Sequence, residues 1–173
     1  LSAFREMLEN VQDGGIILAN ANDPHVQTVI GRVRAQLEAR RIRVKTFGFG
    51  MHADIPVTDH MTKAGEQSFM LRDLEGRPHR FVMHVPGKMN VMNAAAALAL
   101  VGSIGVPFAK LIKPIADFKG IWRRFQLISE ANGITVISDY GHHPTAVAAT
   151  LEATKLFYPG RRVILAFQPH QRQ

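Results

Sequence analysis

The sequence predicts an α/β fold in two consecutive parts, and three observations carry the prediction. Residues 16–47 run as a short apolar segment, a helical pattern and a second apolar segment, the strand–helix–strand order of parallel α/β sheets. Residues 53–85 change texture to alternating segments joined by tight turns, the pattern of small antiparallel strands. Past Gly120 come a hairpin signal, a helix and a further apolar segment, which begin a second α/β unit.

Each element has its own signal. Residues 2–11 read as a helix end that Gly14-Gly15 breaks. The run IILA at 16–19 predicts a buried strand. NANDP at 20–24 is a polar turn, with Pro24 where a helix can begin. Val26, Val29, Ile30, Val33 and Leu37 then recur at helical spacing over 25–39, and 42–47 is a second short strand. Segments 69–74 and 79–85 flank Glu75-Gly76, which predicts a hairpin closed by Pro86-Gly87. The alanine-rich stretch 90–103 is a helix with Gly105 as its stop. Pro107 opens another helical stretch to Phe118, and Pro114 inside it should kink or split it. The expected domain boundary falls at 119–123, giving parts 1–120 and 121–173. Strands at 125–130 and 133–138 surround the hairpin signal Asn132-Gly133. A helix over 144–157, the breaker Pro159-Gly160 and a strand at 162–167 complete the reading.

Composition bounds the function. With 46% hydrophobic and 20% charged residues, the chain is globular rather than disordered. No apolar run is long enough to span a bilayer as a helix, so membrane insertion is not expected. The absence of cysteine excludes disulfides and thiolate metal sites and fits a cytoplasmic protein. A net charge of +7 fits an anionic partner, or a basic piece of a more balanced protein. The densest basic cluster, RRIRVK at 40–45, is interrupted by apolar residues. No RNA-binding aromatic signature or recognition helix accompanies it, so nucleic acid is not an expected partner. The phosphate loop G-x-x-x-x-G-K-[ST] does not occur.

Five short motifs carry possible chemistry. In ISDYGHHPT, residues 137–145, a strand end meets a helix start, where ligands of α/β sheets collect and free N–H groups meet anions. That places Asp139, His142 and His143 beside a possible phosphate, although such a turn alone is as readily a capped helix with a surface histidine. Adjacent histidines point apart, and no HExxH or similar spacing supports a metal site. In PGKMNVMNAAAA, residues 86–97, Asn90 and Asn93 share one helix face. Their carboxamides match the donor and acceptor edge of adenine, while the plain alternative is a helix cap and a solvated amide. GIWRRFQ at 120–126 sets Arg124 at the domain hinge, in reach of phosphates or simply in a solvated turn. FQPHQ at 167–171 puts His170 at a strand end, and NANDP offers a further strand-end turn.

The order of these motifs is more specific than any one of them. PG-x-x-N-x-x-N-A-A-A-A, then F-x-G-x-x-RRF, then DYGHHP and FQPH, resembles the Mur ligase family over residues 14–171, most specifically from Pro86 onward. DYGHHPT together with FQPH points to the alanine-adding branch. The resemblance implies the end of a P-loop-type central domain followed by the start of a Rossmann-like C-terminal domain. It implies ATP and Mg2+ as cofactors, UDP-N-acetylmuramate and L-alanine as partners, and amide formation through an acyl phosphate in the bacterial cytoplasm. Asn90 and Asn93 then stand at adenine, Arg124 and Asp139 where the C-terminal domain reaches the nucleotide, His142 and His143 near the reacting groups, and His170 along the same cleft. The phosphate loop and metal ligands are expected upstream of Leu1, and the chain alone is expected to be an inactive fragment. Two positions depart from the family: Met89 stands where histidine is usual, and QRQ follows FQPH in place of an aromatic and an arginine. The alternatives are a tripeptide-recycling ligase of the same family and a non-catalytic nucleotide- or nucleic-acid-binding module. Oligomeric state is left open.

Overall fold

The computed structural model describes residues 2–73 and 75–168. Five strands form one mixed sheet: β1 (Ile16–Asn20), β2 (Arg43–Phe49), β3 (Ile55–Lys63), β4 (Glu66–Arg72) and β5 (Pro78–Met83). Their spatial order is their chain order. The β1–β2 and β2–β3 pairings are parallel, and β3–β4 and β4–β5 are antiparallel. The change of texture at 53–85 is therefore a change of strand direction within one sheet.

Helix α1 (Ser2–Glu9) precedes β1, and α2 (Pro24–Ala39) makes the β1–β2 crossover. Asp23 caps α2: its Oδ1 accepts from His25 N at 2.8 Å and Val26 N at 3.1 Å, with Pro24 at the start. Val29, Ile30, Val33 and Leu37 of α2 bury against Ile17 and Ala19 of β1, with Leu8 of α1 and Ile42 in the same cluster.

Helix α3 (Lys88–Ser103) covers the sheet, packing Val91, Ala95, Leu98 and Ala99 on Phe69, Leu71, Phe81 and Met83. Its alanines let the backbone lie close to the strands. The helix starts before the expected Asn90, capped by Gly87 at φ 95° without a side-chain bond, so Asn90 is not the cap. The stretch after Pro107 does divide, but at Leu111: a 3-10 turn (Phe108–Lys110) leads into α4 (Ile112–Asp117). Pro114 sits in the first turn of α4, where an intrahelical N–H bond is not required.

The last third holds β6 (Gln126–Ala131) and β7 (Ile134–Ser138), an antiparallel pair with a sheet of its own. Asn132 (φ 51°) and Gly133 (φ 74°) both take the left-handed conformation that a two-residue hairpin turn of this hand requires. Helix α5 (Pro144–Phe157) follows, burying Ala153 and Phe157. It docks on the first sheet: Gly65 N donates to Phe157 O at 3.3 Å, and the Phe125 and Phe157 rings meet at 6.3 Å.

The strand expected at 162–167 does not form. Residues 161–168 join no ladder, and Ile164, Leu165 and Phe167 are exposed. A β-prone run becomes a strand only beside a partner, and among the described residues β6 and β7 pair only with each other.

Candidate functional site

A cavity of about 710 Å³ opens where the two parts meet. Its floor is the end of β5 and the first turns of α3, and its roof is α4 with the segment leading into β6. Met83, Val85, Ile115 and Phe118 give it apolar walls, while Asn90, Asn93, Arg124 and Asp139 are polar groups on its lining. Mostly apolar walls with a few placed polar groups are the general form of a small-molecule site.

The asparagines come from adjacent turns of α3. Asn90 Nδ2 donates to Pro86 O at 2.7 Å. A carbonyl can only accept, so this contact fixes the amide orientation and leaves Oδ1 and the second Nδ2 hydrogen as the groups Asn90 offers a ligand. Asn93 is exposed on the same face.

Arg124 and Asp139 come from two turns that hold each other. Asp139 Oδ2 accepts from Phe125 N at 2.9 Å, and its Oδ1 accepts from Gly141 N at 2.6 Å. Tyr140 N donates to Arg123 O at 2.8 Å, and the Arg123 guanidinium lies 4.6 Å from the Tyr140 ring centre. Arg123 (φ 55°) and Phe125 (φ 46°) both take left-handed backbone conformations, which are costly without glycine. Three contacts to the DYG turn, together with the burial of Phe125, hold that geometry.

His142 and His143 are placed differently. Neither lines the cavity. His143 Nδ1 accepts from Thr145 N at 3.3 Å and caps α5, and His142 is exposed with its ring edge-on to Tyr140 at 5.2 Å. His170 lies outside the described residues.

Sequence reasoning passed over Gln67 on β4. It is 1% exposed, and its Nε2 donates to Val85 O and, at 3.2 Å, to Gly87 O. Nothing in EQSFMLR marks it, because both faces of β4 are covered and polar–apolar alternation is lost. Met89, the unusual residue before Asn90, lines the cavity and packs under Gly87.

A metal ion finds little here. Among the described residues no cluster of three or more His, Asp or Glu side chains could hold one. Both oxygens of Asp139, the carboxylate on the cavity lining, already accept backbone N–H groups. No helix among the described residues is long and apolar enough to cross a membrane.

Comparison with known proteins identifies the lineage. Residues 1–101 match the family described as Mur ligase middle domain, and residues 123–173 match that described as Mur ligase, glutamate ligase domain. The UDP-N-acetylmuramate–L-alanine ligase of Kineococcus radiotolerans is 37% identical over 98% of this chain and 35% of its own length. The ligase of the same name from Geobacter sulfurreducens is 35% identical over 97% of this chain and 35% of its own length. The chain thus spans about a third of the length of the curated relatives it matches. Solved structures share the fold. UDP-N-acetylmuramate-alanine ligase from Thermotoga maritima has a TM-score of 0.72 at 24% identity, over 95% of this chain and 43% of its own. MurF from Acinetobacter baumannii has a TM-score of 0.74 at 21% identity, over 88% of this chain and 32% of its own. Both matched stretches are domains of one lineage: this chain belongs to the Mur ligase family.

Proposed function

We propose that this chain forms part of an ATP-dependent ligase that joins L-alanine to UDP-N-acetylmuramate in bacterial peptidoglycan synthesis. It would supply the adenine side of the nucleotide cleft and the edge that closes over it. The carrying observation is the cavity at which Asn90 and Asn93 of α3 line one space with Arg124 and Asp139 from beyond the hinge. The names of the relatives support the choice of substrates. The domain division follows: 1–120 the latter part of the central domain, 121–173 the beginning of the C-terminal one.

The reaction would run in two steps. A carboxylate oxygen of UDP-N-acetylmuramate takes the γ-phosphoryl group of ATP, giving an acyl phosphate and ADP. The alanine amine then attacks the acyl carbon, the amide forms, inorganic phosphate leaves and the amine loses a proton. In this chain Asn90 Oδ1 would accept from the adenine amino group, with Asn93 beside it. The Arg124 guanidinium would meet phosphate oxygens. Asp139 would act through the backbone, fixing the turn that carries Arg124 (its oxygens are already engaged). His142 and His143 would stand at the rim, near the reacting groups, and His170 further along the cleft. Closing the cleft keeps water from the acyl phosphate. Mg2+ would neutralise phosphate charge, but the described residues do not fit a magnesium site and no step is routed through it. The supply of ATP and UDP-sugar places the reaction in the cytoplasm.

Phosphate release from ATP by the intact protein tests the reading. Release that needs both UDP-N-acetylmuramate and L-alanine is expected. Release with a tripeptide but not with L-alanine would move the assignment to the recycling reaction, and release with neither would refute ligation. The 173-residue chain, which lacks a G-x-x-x-x-G-K-[ST] loop, is expected to give no turnover by itself.

A further inference from the structure

Among the described residues three buried side chains are polar or charged: Gln67, Ser68 and Asp73. Asp73 belongs to the β4–β5 turn, where Arg77 and His79 hold it. Gln67, the second residue of β4, lies between Thr62 on β3 and Met83 on β5. A carboxamide buried there, in a cluster of phenylalanine, leucine and valine, needs a partner for every polar atom.

Its partners all belong to one place. The β5 ladder ends at Met83, and the chain turns through Val85, Pro86 and Gly87 into α3. The carbonyls of this turn have no strand left to pair with. Gln67 Nε2 takes two of them, Val85 O and Gly87 O, and Asn90 Nδ2 takes the one between, Pro86 O. The carboxamide orientation is thereby set, since both carbonyls can only accept. Gln67 Oε1 therefore faces His60 Nε2 at 3.0 Å, and that nitrogen must carry a proton and donate. Gly87 O in turn accepts from Asn90 N at 3.0 Å and Val91 N at 3.4 Å, the first amides of the helix that presents the asparagine pair. Val85 itself lines the cavity.

We propose that Gln67 is a positioning residue for the nucleotide cleft, with His60 as the residue that orients it. Resting on the reading of the cavity as that cleft, the inference is that a side chain outside it sets the Val85–Gly87 turn. The turn in turn sets the height and direction at which Asn90 and Asn93 meet the base. Gln67 touches neither base nor phosphate. Its effect reaches the ligand through two carbonyls and the first turn of α3.

The test uses the intact protein with variants Gln67→Met and His60→Leu, ADP as the probe, and hydrogen exchange read on peptides. Gln67→Met keeps length and volume but leaves the Val85 carbonyl without a donor and takes from Gly87 O one of its three. Exchange over residues 87–93 is expected to quicken about tenfold, and the Kd for ADP to rise about tenfold, the usual scale for one unsatisfied buried group. Exchange over residues 95–103, farther along the same helix, should not change. His60→Leu, on a half-buried strand position, removes only the orienting donor, so it should give the same pattern at about threefold. It keeps the question answerable if Gln67→Met does not fold. Acceleration spread evenly over α3 and the sheet would mean a general packing role and overturn the proposal. Local acceleration with an unchanged Kd would overturn it as well. Wild-type protein that binds no ADP would refute the cleft itself, a failure distinguishable from the others because the variants need not be made to see it.

Discussion

Replacing Gly87 by alanine should be costly for a reason that can be divided in two. Gly87 has φ 95° and ψ 140°, close to a region that side-chain-bearing residues avoid, at about 1–3 kcal/mol. An added Cβ would also fall inside the van der Waals distance of Met89 Sδ and lie 3.3 Å from Ala153 Cβ. Methionine is flexible, so turning it aside costs about 0.5–1.5 kcal/mol. The Ala153 contact is tight but open to a small shift of α5. Together about 3 kcal/mol is expected, which in a chain of this size lowers Tm by roughly 6–12 °C. Circular dichroism melts and urea midpoints of Gly87→Ala measure the total. The double variant Gly87→Ala/Met89→Ala, compared with Met89→Ala alone, isolates the backbone share, because no sulfur remains to be displaced. About 2 kcal/mol should persist there. If the loss vanished on the Met89→Ala background, the strain argument would be wrong and the glycine would be needed only for space. If Gly87→Ala were as stable as wild type, both halves would fail.

Two further outcomes follow from buried or bridging carboxylates. Burial would raise the Asp73 pKa, but hydrogen bonds from His79 and from the Arg77 backbone and guanidinium outweigh it and hold the carboxyl well below its ordinary 3.8. A carboxyl depressed by folding stabilises above its unfolded pKa and loses that contribution as pH falls. Asp73→Asn should therefore cost about 2 kcal/mol at pH 7, with the gap to wild type in urea midpoint shrinking steadily below about pH 5; a gap that widens on acidification would refute the account. Asp139→Asn keeps one acceptor for two backbone donors, so it should lower stability by about 1–3 kcal/mol and weaken ADP binding. Calorimetric titration showing unchanged affinity would mean that the turn bearing Arg124 is held by other contacts.

Much of the fold was written in local chemistry, and the differences have physical causes. Pro144 and Pro159-Gly160 bracket α5 as expected because both ends are set by the chain's own geometry. Asn132-Gly133 closes β6–β7 for the same reason. Pro114 did not mark the break in its helix, because a proline in a first turn is harmless and Leu111 had already ended the 3-10 turn. Residues 162–167 have strand-forming side chains but no neighbour among the described residues, and pairing is a property of two segments. At the site, Asn90, Asn93, Arg124 and Asp139 were legible because their spacing and order survive in one dimension. Gln67 was not, since its partners are 18 and 20 residues away and its own strand reads as ordinary core. The direction in which His143 points was not legible either: a cap and a catalytic group use the same residue at the same turn.

The sheet has a consequence for how the molecule is made. Its spatial order β1-β2-β3-β4-β5 is the order of synthesis, so each strand after β1 pairs with one that already exists. After β1, no strand of this sheet must wait, unpaired and apolar, for a partner not yet translated. The last three joins are also short in sequence: five residues link β2 to β3, Ala64-Gly65 links β3 to β4, and five residues link β4 to β5. Short loops close at little entropic cost and quickly. A ribosome releasing this chain can therefore leave behind it a sheet that grows in one direction, with α3 emerging next after β5 to cover the face where the phenylalanines wait.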